Sequence, residues 1–185
     1  MRHLAIVGAL CLFILLGGHA LAAGPIQVQV RMDGPMLVVD GWLETAVDAP
    51  LAWSVLTDYE GFTRFVPGIR ANRVVRREGP VRWIEQQGET LAMGLRMPYV
   101  GRMRVEEIPG QRIAILFLSG PFRDVRGEWR IGEGRPLRLA YQMRMDLMKS
   151  PYPPALAGGI AEQQVRMWVD VFATEMERRQ LERSS

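Results

Sequence analysis

A change of hydrophobic period near residue 150 constrains the fold more than any other feature of the sequence. Leu137, Leu139, Tyr141, Met143, Met145 and Leu147 alternate with Arg138, Gln142, Arg144 and Asp146. That is the two-residue period of a strand with one apolar face. Ser150-Pro151-Tyr152-Pro153-Pro154 ends it, and from Ala155 to about Glu182 the period is helical. Ala161, Val165, Trp168, Phe172 and Met176 form one stripe, widened by Ile160 and Val169, with Glu175, Glu177, Arg178 and Arg179 at a wetter end. At about 1.5 Å per residue this helix spans roughly 40 Å. It needs a long apolar surface to lie on, and a one-sided sheet is the only candidate in the chain.

The upstream sequence supplies such a sheet. Ile26, Val28, Val30 and Met32 alternate with Gln27, Gln29 and Arg31, Asp33-Gly34-Pro35 turns, and Leu37, Val39 and Leu43 share one face of a second strand. Asp48-Ala49-Pro50 opens a short helix, with Asp48 as its cap and Ala52, Trp53, Val55 and Leu56 as its stripe. Phe62, Phe65 and Val66 follow in a loop or second short helix, stopped by Pro67-Gly68. A meander of five or six strands comes next. It takes in Asn72 to Glu78, Val81 to Gln87, a run in which Leu91, Met93, Leu95 and Met97 share a face, Met103 and Val105, Ile113 to Phe117, and Val125 to Ile131. The expectation is an α+β fold in one domain, residues 23–185, with a curved antiparallel sheet around a long C-terminal helix. Curvature separates the two layers, so a cavity is expected between them.

Residues 1–22 read differently. Met1-Arg2-His3 is a basic start, Leu4 to Leu16 is an uncharged apolar run, and Ala20-Leu21-Ala22-Ala23 supplies small residues. The apolar run is short for a bilayer span, which needs about 20 residues. The order matches a secretory signal cleaved after Ala22, with a retained anchor as the alternative. The expected location is the periplasm of a bacterial envelope. Cys11, His3 and His19 all fall in this segment, so residues 23–185 contain neither Cys nor His. An exported chain would then lack a Cys nucleophile, a Cys/His zinc site and a Ser-His-Asp triad. No metal or cofactor is expected.

The apolar positions suggest what the interior accepts. Met93, Met97, Met103, Met143 and Met145 fall on predicted inward strand faces, and methionine suits surfaces that take varied apolar partners. Trp83, Leu95, Tyr99, Phe117, Trp129, Tyr141, Trp168 and Phe172 add area and complete the candidate ligand wall. Each of these residues can equally be plain core. Glu85 shares parity with Val81 and Trp83, and Glu107 with Met103 and Val105, so either carboxylate could be a buried acid or sit at a strand end in water. Asp58 and Tyr59 read first as a helix terminus.

Charge is uneven. Sixteen arginines lie between Arg64 and Arg144, against eight acids from Glu78 to Glu133. A solvated sheet face explains this, as does attraction to anionic headgroups or an acidic partner. The chain shows no aromatic-basic RNA motif, and nucleic acid is not an expected partner.

Ala52-Trp53-Ser54-Val55-Leu56-Thr57-Asp58-Tyr59-Glu60 followed by Phe65-Val66-Pro67-Gly68-Ile69 resembles the signature of the START-like, polyketide cyclase/dehydrase superfamily (SRPBCC), in particular its coenzyme Q-binding branch. Gly120-Pro121-Phe122-Arg123 with Gly127-Glu128-Trp129 is similar to a later motif of that branch. The resemblance covers roughly residues 26 to 182. It implies a helix-grip fold, with a seven-stranded sheet around the C-terminal helix and two short helices after the second strand. It also implies binding of a hydrophobic ligand such as a lipid, isoprenoid quinone or polyketide.

Three function classes follow. The first is a carrier of a hydrophobic small molecule or lipid, with peripheral membrane contact as a further expectation. The second is a cyclase or dehydratase using Glu85, Tyr99, Glu107 or Tyr141. The third is an envelope interaction module using the arginine-rich face or the Tyr152 loop. The residue inventory favours binding over catalysis. The sequence leaves the ligand and the oligomeric state open.

Overall fold

Alternation dictates pairing in this chain, because each strand must bring its apolar parity to the same side. The computed structural model describes residues 23–92, 95–150 and 153–185, with side chains described outside 90–95. The proposed signal segment, Met93 and Tyr152 lie outside the described residues. The elements run β1 (Gln27–Asp33), β2 (Met36–Thr45), α1 (Ala49–Leu56), a 3-10 turn (Tyr59–Gly61), α2 (Phe62–Phe65), β3 (Ile69–Glu78), β4 (Val81–Ala92), β5 (Leu95–Ile108), β6 (Arg112–Phe117), β7 (Arg126–Ile131), β8 (Leu137–Asp146) and α3 (Pro154–Ser184). All neighbouring strands are antiparallel, in the order β1-β2-β8-β7-β6-β5-β4-β3.

This is the expected α+β helix-grip arrangement, with eight strands where seven were expected. The difference in reading is largest between residues 81 and 108. The runs around Val81, Leu91 and Met103 are two long antiparallel strands, β4 and β5, with Ala92 opposite Leu95 and Leu91 opposite Arg96. This pairing resets parity, so Leu91 and Leu95 occupy register positions on opposite faces. The unbroken odd-numbered alternation seen in the sequence crosses a chain reversal.

The expected cap is present. Asp48 accepts a hydrogen bond at Oδ1 from the Leu51 amide, 2.7 Å away, and Pro50 sits in the first turn of α1. The long helix lies against β1, β2, β8 and α1. Its closest approach is made possible by Gly41 of β2. A Cβ built there would stand 2.5 Å from Val165 Cγ1 and 3.3 Å from Val169 Cγ2, so only hydrogen fits between strand and helix. Val165, Val169, Phe172 and Met176 are buried, with Ala157, Ala161 and Ala173 beside them. The predicted stripe is the buried one, except that Trp168 and Ile160 at its edges are half-buried.

One residue of the supposed wet end is inside. Glu175 is only 6% exposed. Its carboxylate accepts from Arg178 Nε (2.7 Å) and Nη2 (2.8 Å) and from Arg179 Nε (2.7 Å). Arg179 Nη2 reaches on to Asp58 Oδ2 at 2.8 Å, which Arg64 also meets at 2.9 Å. The chain of charges ties the last turns of α3 to the turn after α1. These bonds hold the Glu175 carboxyl down at about 2, led by Arg178, while burial works in the opposite direction. Arginines three and four residues on, both one helical turn away, are what let a glutamate enter a core without leaving an unpaired charge.

Candidate functional site

The concave face of the sheet, beneath α3 and the short helices, gathers most of the predicted residues. Its centre is aromatic. Trp129 of β7 lies directly opposite Tyr141 of β8, with ring centroids 4.7 Å apart. Phe172 of α3 comes down onto Trp129 at 5.1 Å and also meets Phe62 at 5.0 Å, Phe65 at 5.3 Å and Trp168 at 5.8 Å. Edge-to-face and tilted contacts of this kind are each worth about 1 kcal/mol beyond area burial. Trp129, Tyr141 and Phe172 are buried, as are Met103 and Met145. These five belong to the hydrophobic core cluster.

A second aromatic group lies toward the β5–β6 side. Tyr99 meets Phe122 at 5.7 Å and Phe117 meets Phe122 at 5.8 Å, and all three are half-buried. Met143 and Trp168 are half-buried as well. Met97, near the start of β5, is 49% exposed. Leu95 opens β5, paired with Ala92. Trp83 is on the other side of the sheet. It pairs with Arg104 and Arg76 on the outer face, while its neighbours Ile84 and Gln86 are the buried positions of β4. The expected parity of β4 was set by the bulk of Trp83, but the inward parity carries one large apolar residue, Ile84. The Trp83 indole nitrogen is buried without a hydrogen-bond partner among the described residues.

The inward parity of β3, β4 and β5 carries a strip of polar side chains that the sequence reading did not assemble. Glu107 is 9% exposed. Its Oε1 accepts from the Tyr59 hydroxyl at 2.7 Å, and its Oε2 pairs with Arg82 Nη2 at 2.9 Å. Asn72 Nδ2 donates to the Tyr59 backbone oxygen at 2.7 Å. Gln86 Nε2 donates to Asn72 Oδ1 at 3.3 Å, and the Tyr99 hydroxyl donates to Gln86 Oε1 at 2.7 Å. Burial, then the bond to Glu107, raises the Tyr59 hydroxyl well above the ordinary tyrosine value. Burial pushes Tyr99 up to about 12. Glu85, by contrast, lies on the outer face and pairs with Arg102 at 2.7 Å. The register of Met103 and Val105 was the available signal. Antiparallel pairing with β5 puts Ile84 and Gln86 inward, and Arg82 on the same parity.

Tyr141 differs from the other two tyrosines. It is 5% exposed, and no hydrogen bond to its hydroxyl is formed among the described residues. Burial alone raises its pKa, so the hydroxyl stays neutral and remains a donor. It sits over Gly127 of β7, where a Cβ would stand 2.4 Å from the Tyr141 oxygen. Glycine at this position makes the room. Tyr59 and Tyr99 donate to protein acceptors, whereas Tyr141 presents a free donor inside an aromatic wall.

The sheet order, the two short helices and the closing helix are matched by a known family model. Residues 45–173 match the model described as polyketide cyclase / dehydrase and lipid transport. The chain belongs to that family. Several solved structures share this polyketide cyclase/dehydrase fold. A START superfamily protein from Mycobacterium smegmatis is similar with a TM-score of 0.63 at 18% identity, over 76% of this chain and 97% of that one. The Zhui aromatase/cyclase from Streptomyces sp. R1128 gives 0.61 at 19% identity, over 78% and 95%. A STAR-related lipid transfer protein from Xanthomonas axonopodis gives 0.60 at 14% identity, over 85% and 98%. No curated protein sequence matches the chain. Among the described residues, no cluster of acids is placed to hold a metal ion and no helix is long and apolar enough to cross a membrane.

Proposed function

We propose that this chain binds an apolar or amphipathic molecule between the concave sheet face and α3, with the Tyr141 hydroxyl donating to an oxygen of that molecule. The unpartnered Tyr141 hydroxyl carries the reading. An unpaired hydroxyl in an apolar wall has one hydrogen bond to offer a ligand oxygen. An oxygen-bearing ligand meets that donor and, on its other sides, Trp129, Phe172 and the half-buried Tyr99, Phe117, Phe122, Met143 and Trp168. The family's lipid-transport description and the lipid-transfer protein among the similar structures agree in kind. The proposal includes export, with residues 1–22 as a signal and the ligand taken up in the envelope. Coenzyme Q-like isoprenoid quinones are candidates because they join carbonyl oxygens to an apolar chain.

Neither candidate carboxylate is free to move a proton for a cyclase, since Glu85 faces outward against Arg102. Both oxygens of Glu107 are already held, one by Tyr59 and one by Arg82. Binding is therefore the better reading. The test is organic extraction of the natively purified protein followed by mass spectrometry, for wild type and Tyr141→Phe. Wild type should release a stoichiometric apolar molecule that carries an oxygen acceptor, and Y141F should retain less of it. Wild-type protein that releases no such molecule, and binds no quinone or fatty acid on titration, refutes the proposal.

A further inference from the structure

The outer face of the sheet is banded by charge. Following the register across all eight strands gives one row: Arg31, Val38, Arg144, Arg126, Leu116, Arg104, Trp83, Arg76. The adjacent row reads Gln29, Asp40, Gln142, Glu128, Ala114, Glu106, Val81, Glu78. Five arginines and no acid stand in the first row, and four acids and no cation in the second. Ion pairs join the rows: Arg31 to Asp40 at 3.5 Å, Arg104 to Glu106 at 2.9 Å, and Arg76 to Glu78. Arg144 turns the other way, to Asp33 at 3.3 Å.

Arg126 is the exception. Among the described residues it is the arginine of this row with no acid within ion-pair distance and no side-chain hydrogen bond. Glu128, two residues along the strand, is already shared by Arg112 at 3.2 Å and Arg130 at 2.6 Å. Arg126 lies directly opposite Arg144 across β7 and β8. Like charges directly opposite on one sheet face destabilise the pair, and adjacent strands are only about 4.8 Å apart. The outer face is hollowed at this point. An open groove of about 930 Å³ is lined by Arg104, Arg126, Arg130, Arg144 and Lys149, against the acids Asp124, Glu128 and Asp146, around a floor that includes Leu116, and Lys149 pairs with Asp124 at 3.9 Å.

We propose that this groove is an anion site for a phosphate group, held between Arg126 and Arg144, with Lys149 and Arg104 as flanking charge. A phosphate has oxygens enough for both guanidinium groups, and each planar fork can meet two of them. The anion relieves the repulsion between the two arginines and supplies the partner that Arg126 lacks. The half-buried Leu116 floor gives room for carbon attached to the phosphate. The group arrives either as a lipid headgroup or as a soluble phosphate ester. The site is on the opposite side of the sheet from Tyr141, so it stands or falls independently of the interior ligand.

The experiment has two arms on the whole protein. One is co-sedimentation with vesicles of phosphatidylcholine, with and without phosphatidylglycerol. The other is titration with inorganic phosphate, followed by calorimetry or by the arginine side-chain NMR signals. Variants are Arg126→Gln, Arg144→Gln and, as a control of equal charge outside the groove, Arg138→Gln, whose guanidinium instead sits 4.9 Å over Trp42. Saturable binding is expected, weakened about tenfold by R126Q or R144Q, the loss of one charge-assisted contact, and unchanged by R138Q. Binding to the phosphatidylglycerol vesicles assigns the lipid source, and binding to inorganic phosphate alone assigns a soluble ester. R126Q should keep or raise the Tm, because Arg126 has no ion pair to lose, so a loss of binding is not a loss of fold. The proposal is overturned if neither probe binds, if R126Q binds like wild type, or if R138Q weakens binding as much as R126Q does.

Discussion

Replacing Glu175 by glutamine removes the charge at the node joining α3 to the turn after α1, and its effect can be worked out from the structure. The carboxyl ordinarily titrates at 4.5 and is held at about 2 by Arg178 and Arg179. The fall from 4.5 to about 2, at about 1.4 kcal/mol per tenfold change in proton affinity, corresponds to about 3.5 kcal/mol of stability. This is an upper value, because the Arg178 side chain is 53% exposed and solvent screens its share. The folded pKa lies below the unfolded one. The stabilisation is therefore complete above the unfolded value of 4.5 and is lost as pH falls through the folded value of about 2. Urea unfolding of wild type and E175Q over a series of pH values measures it. E175Q should be less stable by up to about 3.5 kcal/mol at pH 7, and the gap should close between these two pKa values. A gap that is absent at pH 7, or that persists unchanged below pH 2, would refute the charge argument and leave Glu175 as a packing residue.

Gly41→Ala should cost about 1–3 kcal/mol in chemical denaturation, because the new Cβ meets Val165 Cγ1 at 2.5 Å, and Val165→Ala in the same chain should recover part of the loss. Asp48→Ala should lower stability by about 1 kcal/mol through loss of the cap on α1, whereas Asp48→Asn should be close to neutral. Tyr141→Phe should leave the ligand-free protein about as stable as wild type, since no hydrogen bond among the described residues is lost. A drop of more than about 1 kcal/mol in that variant would show that the hydroxyl has a structural partner.

Much of the fold was legible because burial enforces period. The alternation from Leu137 to Leu147 and the stripe from Ala161 to Met176 each have one dry side, and the structure buries those sides. The Asp48 cap was legible for a local reason, since an acid before Ala-Pro has one good use. The β4–β5 pairing was not. Parity along a chain says nothing about where it reverses, and Leu91, Met93, Leu95 and Met97 alternate straight through the reversal. Trp83 misled for a related reason. A large aromatic residue usually marks the dry face, but here arginines of neighbouring strands flank it on the outer one. Glu175 looked wet because it stands among charges, yet those charges are its partners. Of the candidate wall, Trp129, Tyr141 and Phe172 come together at the centre. The polar strip of Arg82, Glu107, Asn72 and Gln86 was missed because it exists only once three strands are in register.

Tyr59 holds that strip to the helical side of the grip. Its hydroxyl is fastened to Glu107 on β5, its backbone oxygen to Asn72 on β3, and the Glu107 it grasps is fastened to Arg82 on β4. One residue thus acts as a rivet through three strands. Lifting the 3-10 turn away from the sheet would strand buried donors and acceptors, at about 1–3 kcal/mol each. The start of β5, at the other end of that strand, is tied by the Tyr99 hydroxyl to Gln86 of β4. There the Phe117 and Phe122 rings touch each other without a side-chain hydrogen bond, and Met97 stands half in water.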